Sequence, residues 1–139
     1  NPGHEFGYRP FPDDQIAAVI RLSSEILKRH DIPRANVVGH SDVAPARKQD
    51  PGELFPWDKL ARLQLALARP RNPTTDPEWS DGAFLLALER FGYDIEDKLA
   101  ATVAFQRRWR PTLIDGTIDG ECRAILLQLL LDREAGDAR

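Results

Sequence analysis

From Pro12 to His30 the apolar residues Ile16, Val19, Ile20, Leu22, Ile26 and Leu27 recur with the period of a helix that turns one face to a core. Asp13 and Asp14 stand in its first turn and Lys28, Arg29 and His30 in its last, the charge order that the helix dipole favours. Ile32-Pro33 stops the pattern. The apolar pair Val37-Val38 before Gly39 then reads as the end of a buried strand, which puts His40 where strand gives way to loop. Phe55-Pro56-Trp57-Asp58-Lys59-Leu60 predicts a turn into a short helix ending near Ala68. Residues 69–77 carry three prolines and no large apolar side chain, the composition of a linker. Beyond it, helical patterns cover Trp79 to Phe91, Asp97 to Arg110 and Glu121 to Glu134, the last carrying Ile125, Leu126, Leu129 and Leu130. Asp115-Gly116 and Asp119-Gly120 mark turns between the second and third; a hairpin there competes, but Thr117-Ile118 is too short for a strand of its own. Residues 78–139 are therefore expected to form a small three-helix unit.

Composition narrows the function. The chain has 139 residues, 42% of them hydrophobic, enough for one ordinary domain or two small ones. Its net charge of −3 leaves no basic excess to neutralise the phosphates of duplex nucleic acid, so no nucleic-acid partner is expected. No window approaches the roughly 18 consecutive apolar residues of a membrane span. The single cysteine, Cys122, excludes an internal disulfide framework and a cysteine-rich metal site. It sits in an apolar helical stretch, where a packed thiol is preferred over a nucleophile. The chain opens on Asn1-Pro2-Gly3 without methionine, which reads as a processed or truncated piece.

The stretch Gly39 to Gly52, GHSDVAPARKQDPG, is too broken to be a helix yet crowded with chemistry. His40 and Asp50 suit zinc, which takes about three protein donors and one open position at a catalytic site. Pro45 and Pro51 are rigid enough to return Asp50 to the histidine, although a hydrogen-bonded histidine on an exposed loop is the plainer reading of the spacing alone. Lys48 is placed to steady an oxyanion formed when metal-bound hydroxide attacks an amide, and Arg47 to pair a substrate carboxylate. Each is otherwise a solvated cation. Ser41 and Asp42 read first as turn caps and second as supports for His40. Ser41 as a hydrolase nucleophile is disfavoured, because neighbours on an extended segment project to opposite sides.

Asn-Pro-Gly-His-Glu at the start, followed by a helix, VVGHSDVAPARKQDPG and FPW, resembles the later part of the zinc-dependent N-acetylmuramoyl-L-alanine amidases of the AmpD/AmiD type, with their amidase-2 or peptidoglycan-recognition-protein-like fold. The resemblance covers Asn1 to about Leu67. It implies an α/β fold, a partial amidase-2 domain over residues 1–68 with a mixed central sheet and flanking helices, its N-terminal half absent. It also implies zinc (Zn2+) as cofactor, with His40 and Asp50 as ligands, Lys48 as a catalytic helper and Arg47 as a contact for the stem-peptide carboxylate. FGYDI, ATVAFQRRWRP and IDGTIDGECRAIL are similar to the three-helix peptidoglycan-binding module appended to many wall hydrolases. In that module Phe105 is expected in the core, while Arg107, Arg108 and Arg110 line either a groove for an anionic ligand or a solvated face.

The family's first zinc histidine and general-base glutamate precede the Asn-Pro-Gly segment, and His4 and Glu5 do not replace them. The expected partners are therefore peptidoglycan or a muropeptide, and an N-terminal half of the amidase domain that covers the exposed sheet edge. The expected function is zinc-dependent hydrolysis of the amide between N-acetylmuramic acid and L-alanine, with wall binding by the C-terminal unit, in the periplasm or at the outer membrane in preference to the cytoplasm. The alternative is a non-catalytic peptidoglycan-binding protein.

Overall fold

The computed structural model describes residues 1–137, and six α-helices carry its architecture: α1 (Asp13–His30), α2 (His40–Val43), α3 (Trp57–Arg62), α4 (Asp81–Phe91), α5 (Lys98–Trp109) and α6 (Gly120–Asp137). Short 3-10 turns at His4–Phe6 and Arg34–Asn36 precede α1 and α2. Among the described residues there is no β-strand, so the expected α/β fold with a mixed central sheet is corrected to an all-helical one. The reason lies in the backbone. Val37 is extended, but a strand persists only where a neighbour supplies ladder hydrogen bonds, and none of the described segments does so. Val38 is 48% exposed rather than buried, and the chain turns directly into α2 at His40.

α1 starts and stops where its charge pattern and Pro33 predict, and Asp31 closes it in the left-handed conformation with its N–H bonded to the Leu27 carbonyl. It is thinly covered, since Ile16 is its one buried residue and Leu22 is 58% exposed. The helix after Trp57 is shorter than predicted. It ends at Arg62, and Gln64 turns left-handed so that Leu65 and Ala66 join Leu60 in a small core with Ile20, Leu27, Phe55 and Trp57.

The larger core belongs to α4, α5 and α6. Ser80 and Asp97 cap α4 and α5 by accepting the N–H of Ala83 and Ala100. Phe84, Leu88, Phe105 and Leu126 are fully buried between the three helices, with the Phe84 and Phe105 rings edge to face at 5.6 Å. Gln106, also fully buried, fastens the loop between α5 and α6: its amide donates to the Asp115 carboxylate and the Thr117 carbonyl and accepts the N–H of Gly116. Gly116 has φ of +74°, and a Cβ there would lie 2.5 Å from Leu99, so the turn requires glycine. Cys122 is buried in this core, and burial pushes its thiol up to about 11, which keeps it a packed, inert group.

Residues 69–77 are tied down at one end. Asp76 meets Arg123 of α6 in a two-pronged pair, each contact 2.8 Å, and these bonds hold the Asp76 carboxyl down to about 2 from its ordinary 3.8. A depressed carboxyl stabilises the fold fully above pH 3.8 and loses that contribution as pH falls through about 2. Asp76→Asn is therefore expected to lower the unfolding midpoint by a constant amount above pH 4, with the gap to the parent closing towards pH 2, as read from thermal melts across that range.

Candidate functional site

The loop from Gly39 to Gly52 closes on itself through the main chain. Ser41 N–H donates to the Asp50 carbonyl at 3.0 Å, and the N–H groups of Arg47 and Lys48 both donate to the carbonyl of Ala44. Its two ends pack too closely for any side chain. A Cβ on Gly39 would lie 2.6 Å from the Pro51 ring, and one on Gly52, where φ is +86°, would lie 2.3 Å from the Tyr8 hydroxyl. This closure brings His40 and Asp50 together, with Nδ1 and Oδ2 at 2.7 Å and both side chains largely exposed. Arg47 and Lys48 are exposed on the same loop.

Beside the pair lies an open cleft of about 570 Å³ lined by Asn1, His4, Tyr8, Phe11, Arg47 and Asp50, among others. Its wall was not legible in the sequence. His4 stacks on Tyr8 at 4.1 Å and its Nε2 meets the Glu53 carboxylate at 2.8 Å, while Tyr8 donates to the Pro51 carbonyl and accepts the Leu54 N–H. Burial would raise the Glu53 carboxyl, but the His4 hydrogen bond and the Arg107 charge hold it below its usual range. An aromatic row continues inward from Tyr8 through Phe11 and Phe55 to Trp57.

Asp42 acts as a cap and as more than a cap. Its carboxylate accepts the Gly39 N–H at 2.8 Å, the Tyr93 hydroxyl at 2.5 Å and an Arg108 guanidinium N–H at 3.4 Å, all in a buried setting. Burial pushes the Tyr93 phenol well up and the Arg108 guanidinium down, the latter opposed by the Asp42 charge. Arg108 also lies over Trp57 at 3.3 Å, and Trp109 donates to the Tyr93 hydroxyl. The loop that carries His40 is thus anchored to α5.

Two of the arginines read as lining either a groove or a solvated face are committed internally. Arg108 is spent on Asp42, and Arg110, 3% exposed, is held by Asp119 and Glu121. Arg107 lines a cleft with its Nε lacking a hydrogen-bond acceptor, as described below; the Nη2 of Arg110 lacks one as well.

The expected zinc centre is corrected. A catalytic zinc needs about three protein donors, and among the described residues no group of three His, Cys, Asp or Glu side chains is placed to hold a metal ion. His40 and Asp50 bond to one another and find no third donor. The Zn2+ cofactor, the zinc hydrolase assignment and the amide-cleaving function built upon it do not follow from this arrangement.

Residues 1–53 match the N-acetylmuramoyl-L-alanine amidase family. The N-acetylmuramoyl-L-alanine amidase AmiD of Escherichia coli is 39% identical over 140 residues, 88% of this chain and 50% of AmiD. The 1,6-anhydro-N-acetylmuramyl-L-alanine amidase AmpD of Enterobacter cloacae is 36% identical over 51 residues, 37% of this chain and 27% of AmpD. Among solved structures, the complex of E. coli AmiD with the substrate anhydro-N-acetylmuramic acid-L-Ala-D-gamma-Glu-L-Lys superposes with a TM-score of 0.79 at 38% identity, covering 91% of this chain and 55% of that one. AmpDh3 of Pseudomonas aeruginosa gives 0.69 at 28% identity, with 92% and 56% covered.

The chain spans about half the length of AmiD. Likeness to AmiD covers 91% of the chain, and Asp42 and Arg108 join the segments on either side of residues 69–77. The expected architecture, a C-terminal piece of a sheet domain with a separately appended module, is therefore corrected together with its amidase-2 sheet. This chain is similar to the AmiD and AmpD amidases, over about half the length of AmiD and about a quarter of that of AmpD.

Proposed function

We propose that this chain binds peptidoglycan fragments without cleaving them. The observation that carries the reading is the 570 Å³ cleft, whose lining combines Arg47 with the aromatic side chains of Tyr8 and Phe11, a combination suited to a carboxylate-bearing peptide on a sugar. It is supported by the likeness to AmiD, whose solved complex holds an anhydromuramyl peptide. In this reading Arg47 and Lys48 supply charge to the ligand's carboxylates, and His40 and Asp50 supply polar contacts at the cleft's edge. Residues 1–68 carry the site, 69–77 link, and 78–139 form the three-helix unit. The location is the cell envelope, where such ligands are found. No described helix is long and apolar enough to cross a membrane. The exposed apolar side chains of Leu22, Val38 and Val43 are the surface that an accompanying amidase segment would cover.

The test is retention on insoluble peptidoglycan, with and without a chelator, alongside an assay for released stem peptide. Binding that survives chelation with no peptide released is the expected result, and Arg47→Ala should reduce retention. Release of stem peptide by the chain alone, or failure to bind, would refute the reading.

A further inference from the structure

A second cleft, of about 330 Å³, lies between α3 and the end of α5, on the far side of Glu53 from the first. Its lining includes Trp57 and Trp109 together with Lys59, Arg62, Arg69 and Arg107. The cations are not equally free. Arg69 reaches Asp58 at 3.5 Å, whereas Lys59 and Arg62 are exposed and form no ion pair among the described residues. Arg107 is the informative one. Its side chain is 12% exposed, and its Nε is buried without a hydrogen-bond acceptor, the nearest carboxylate being Glu53 at 3.8 Å. Its neighbours on α5 differ. Arg108 has Asp42, and Arg110, although its Nη2 also lacks an acceptor at 3.7 Å from Asp115, is held through its other nitrogens by Asp119, Glu121 and the Leu113 carbonyl. A desolvated guanidinium nitrogen is costly to leave unpaired.

We infer that this cleft is a second binding site, for the free carboxylate of a short zwitterionic peptide, with Arg107 as its central donor and Arg62 and Lys59 at its rim. The inference rests on the peptidoglycan-fragment reading for the kind of peptide. Asp58, in the same lining, complements an amino group on such a ligand, which a phosphate would lack. The volume suits one or two residues, and duplex nucleic acid requires a longer row of cations than three. Glu53 sits between the two clefts, bonded to His4 of the first and facing Arg107 of the second, so a carboxylate entering here competes with it for Arg107.

The experiment is a nitrogen-15 titration of the full chain with the tripeptide L-Ala-D-gamma-Glu-L-Lys, with its carboxamide form as control. Saturable shifts of the Arg107 Nε–H and the Trp57 indole N–H are expected, about tenfold weaker or more for the carboxamide and for Arg107→Gln. Arg62→Gln, at an exposed position, should weaken binding more mildly. Glu53→Gln should tighten it, an outcome that damage to the fold does not produce. Shifts confined to Arg47, Gln49 and Asp50, or equal binding of the carboxamide, would overturn the second site. Retention on peptidoglycan, measured in parallel, separates the two readings: intact retention with Arg107 silent sinks this site alone. Shifts at Arg107 in a chain that fails to bind the wall uphold this site while sinking the wall reading.

Discussion

Asp42→Ala is expected to destabilise the protein by about 3–5 kcal/mol in urea unfolding, because it leaves the buried Arg108 guanidinium without its carboxylate. The Asp42 and Arg108 side chains are 8% and 4% exposed, so water does not replace the lost partner. The Gly39 N–H and the Tyr93 hydroxyl lose their acceptor in the same change. Replacing both members of the pair with apolar groups is often nearly neutral. Asp42→Ala combined with Arg108→Met should therefore recover part of the loss, and the double-mutant cycle measures the coupling. A single Asp42→Ala change costing less than about 0.5 kcal/mol, the range of ordinary surface substitutions, would mean that the loop bearing His40 does not dock on α5 in solution.

The second large effect is Phe105→Ala, expected to cost about 3–5 kcal/mol by removing a fully buried ring and leaving a cavity. The ring meets Phe84 at 5.6 Å and Tyr93 at 6.2 Å, both edge to face, so aromatic contacts are lost in addition to buried area. Thermal or urea unfolding followed by near-ultraviolet circular dichroism measures it. A loss as small as that of a surface substitution would contradict the placement of α5 at the centre of the three-helix packing.

These two positions test different links. Phe105 reports on a core that α4, α5 and α6 make among themselves, while Asp42 reports on the joint between that core and the loop. The joint matters for function because Arg108, Trp57 and Trp109 set one side of the second cleft, and Glu53 spans from it to the first. Binding at one cleft is therefore in physical contact with the other through a single carboxylate.

The helices were legible because their information is local. Apolar spacing, the charged ends of α1 and the Asp115-Gly116 turn each act within a few residues, and α1, α4, α5 and α6 lie close to where those signals put them. The loop's closure was also partly local, since Gly39 and Gly52 mark its ends and bring His40 to Asp50. The expected strand failed for a physical reason: a pair of valines encodes a preference for extension, but a sheet exists only when other segments bring matching backbone donors and acceptors. The zinc centre failed likewise, because a third donor has to arrive from elsewhere in space. Nothing in the spacing of Asp42, Tyr93 and Arg108, or of His4, Glu53 and Arg107, announces that they meet. Sequence by itself determined α1, α4, α5 and α6 to within a few residues, and the glycines that bound the loop, but neither α2 nor the end of α3. Tertiary structure alone decided which charges are buried together and which guanidinium nitrogens are left without an acceptor, because burial and pairing are properties of distant segments packed against one another.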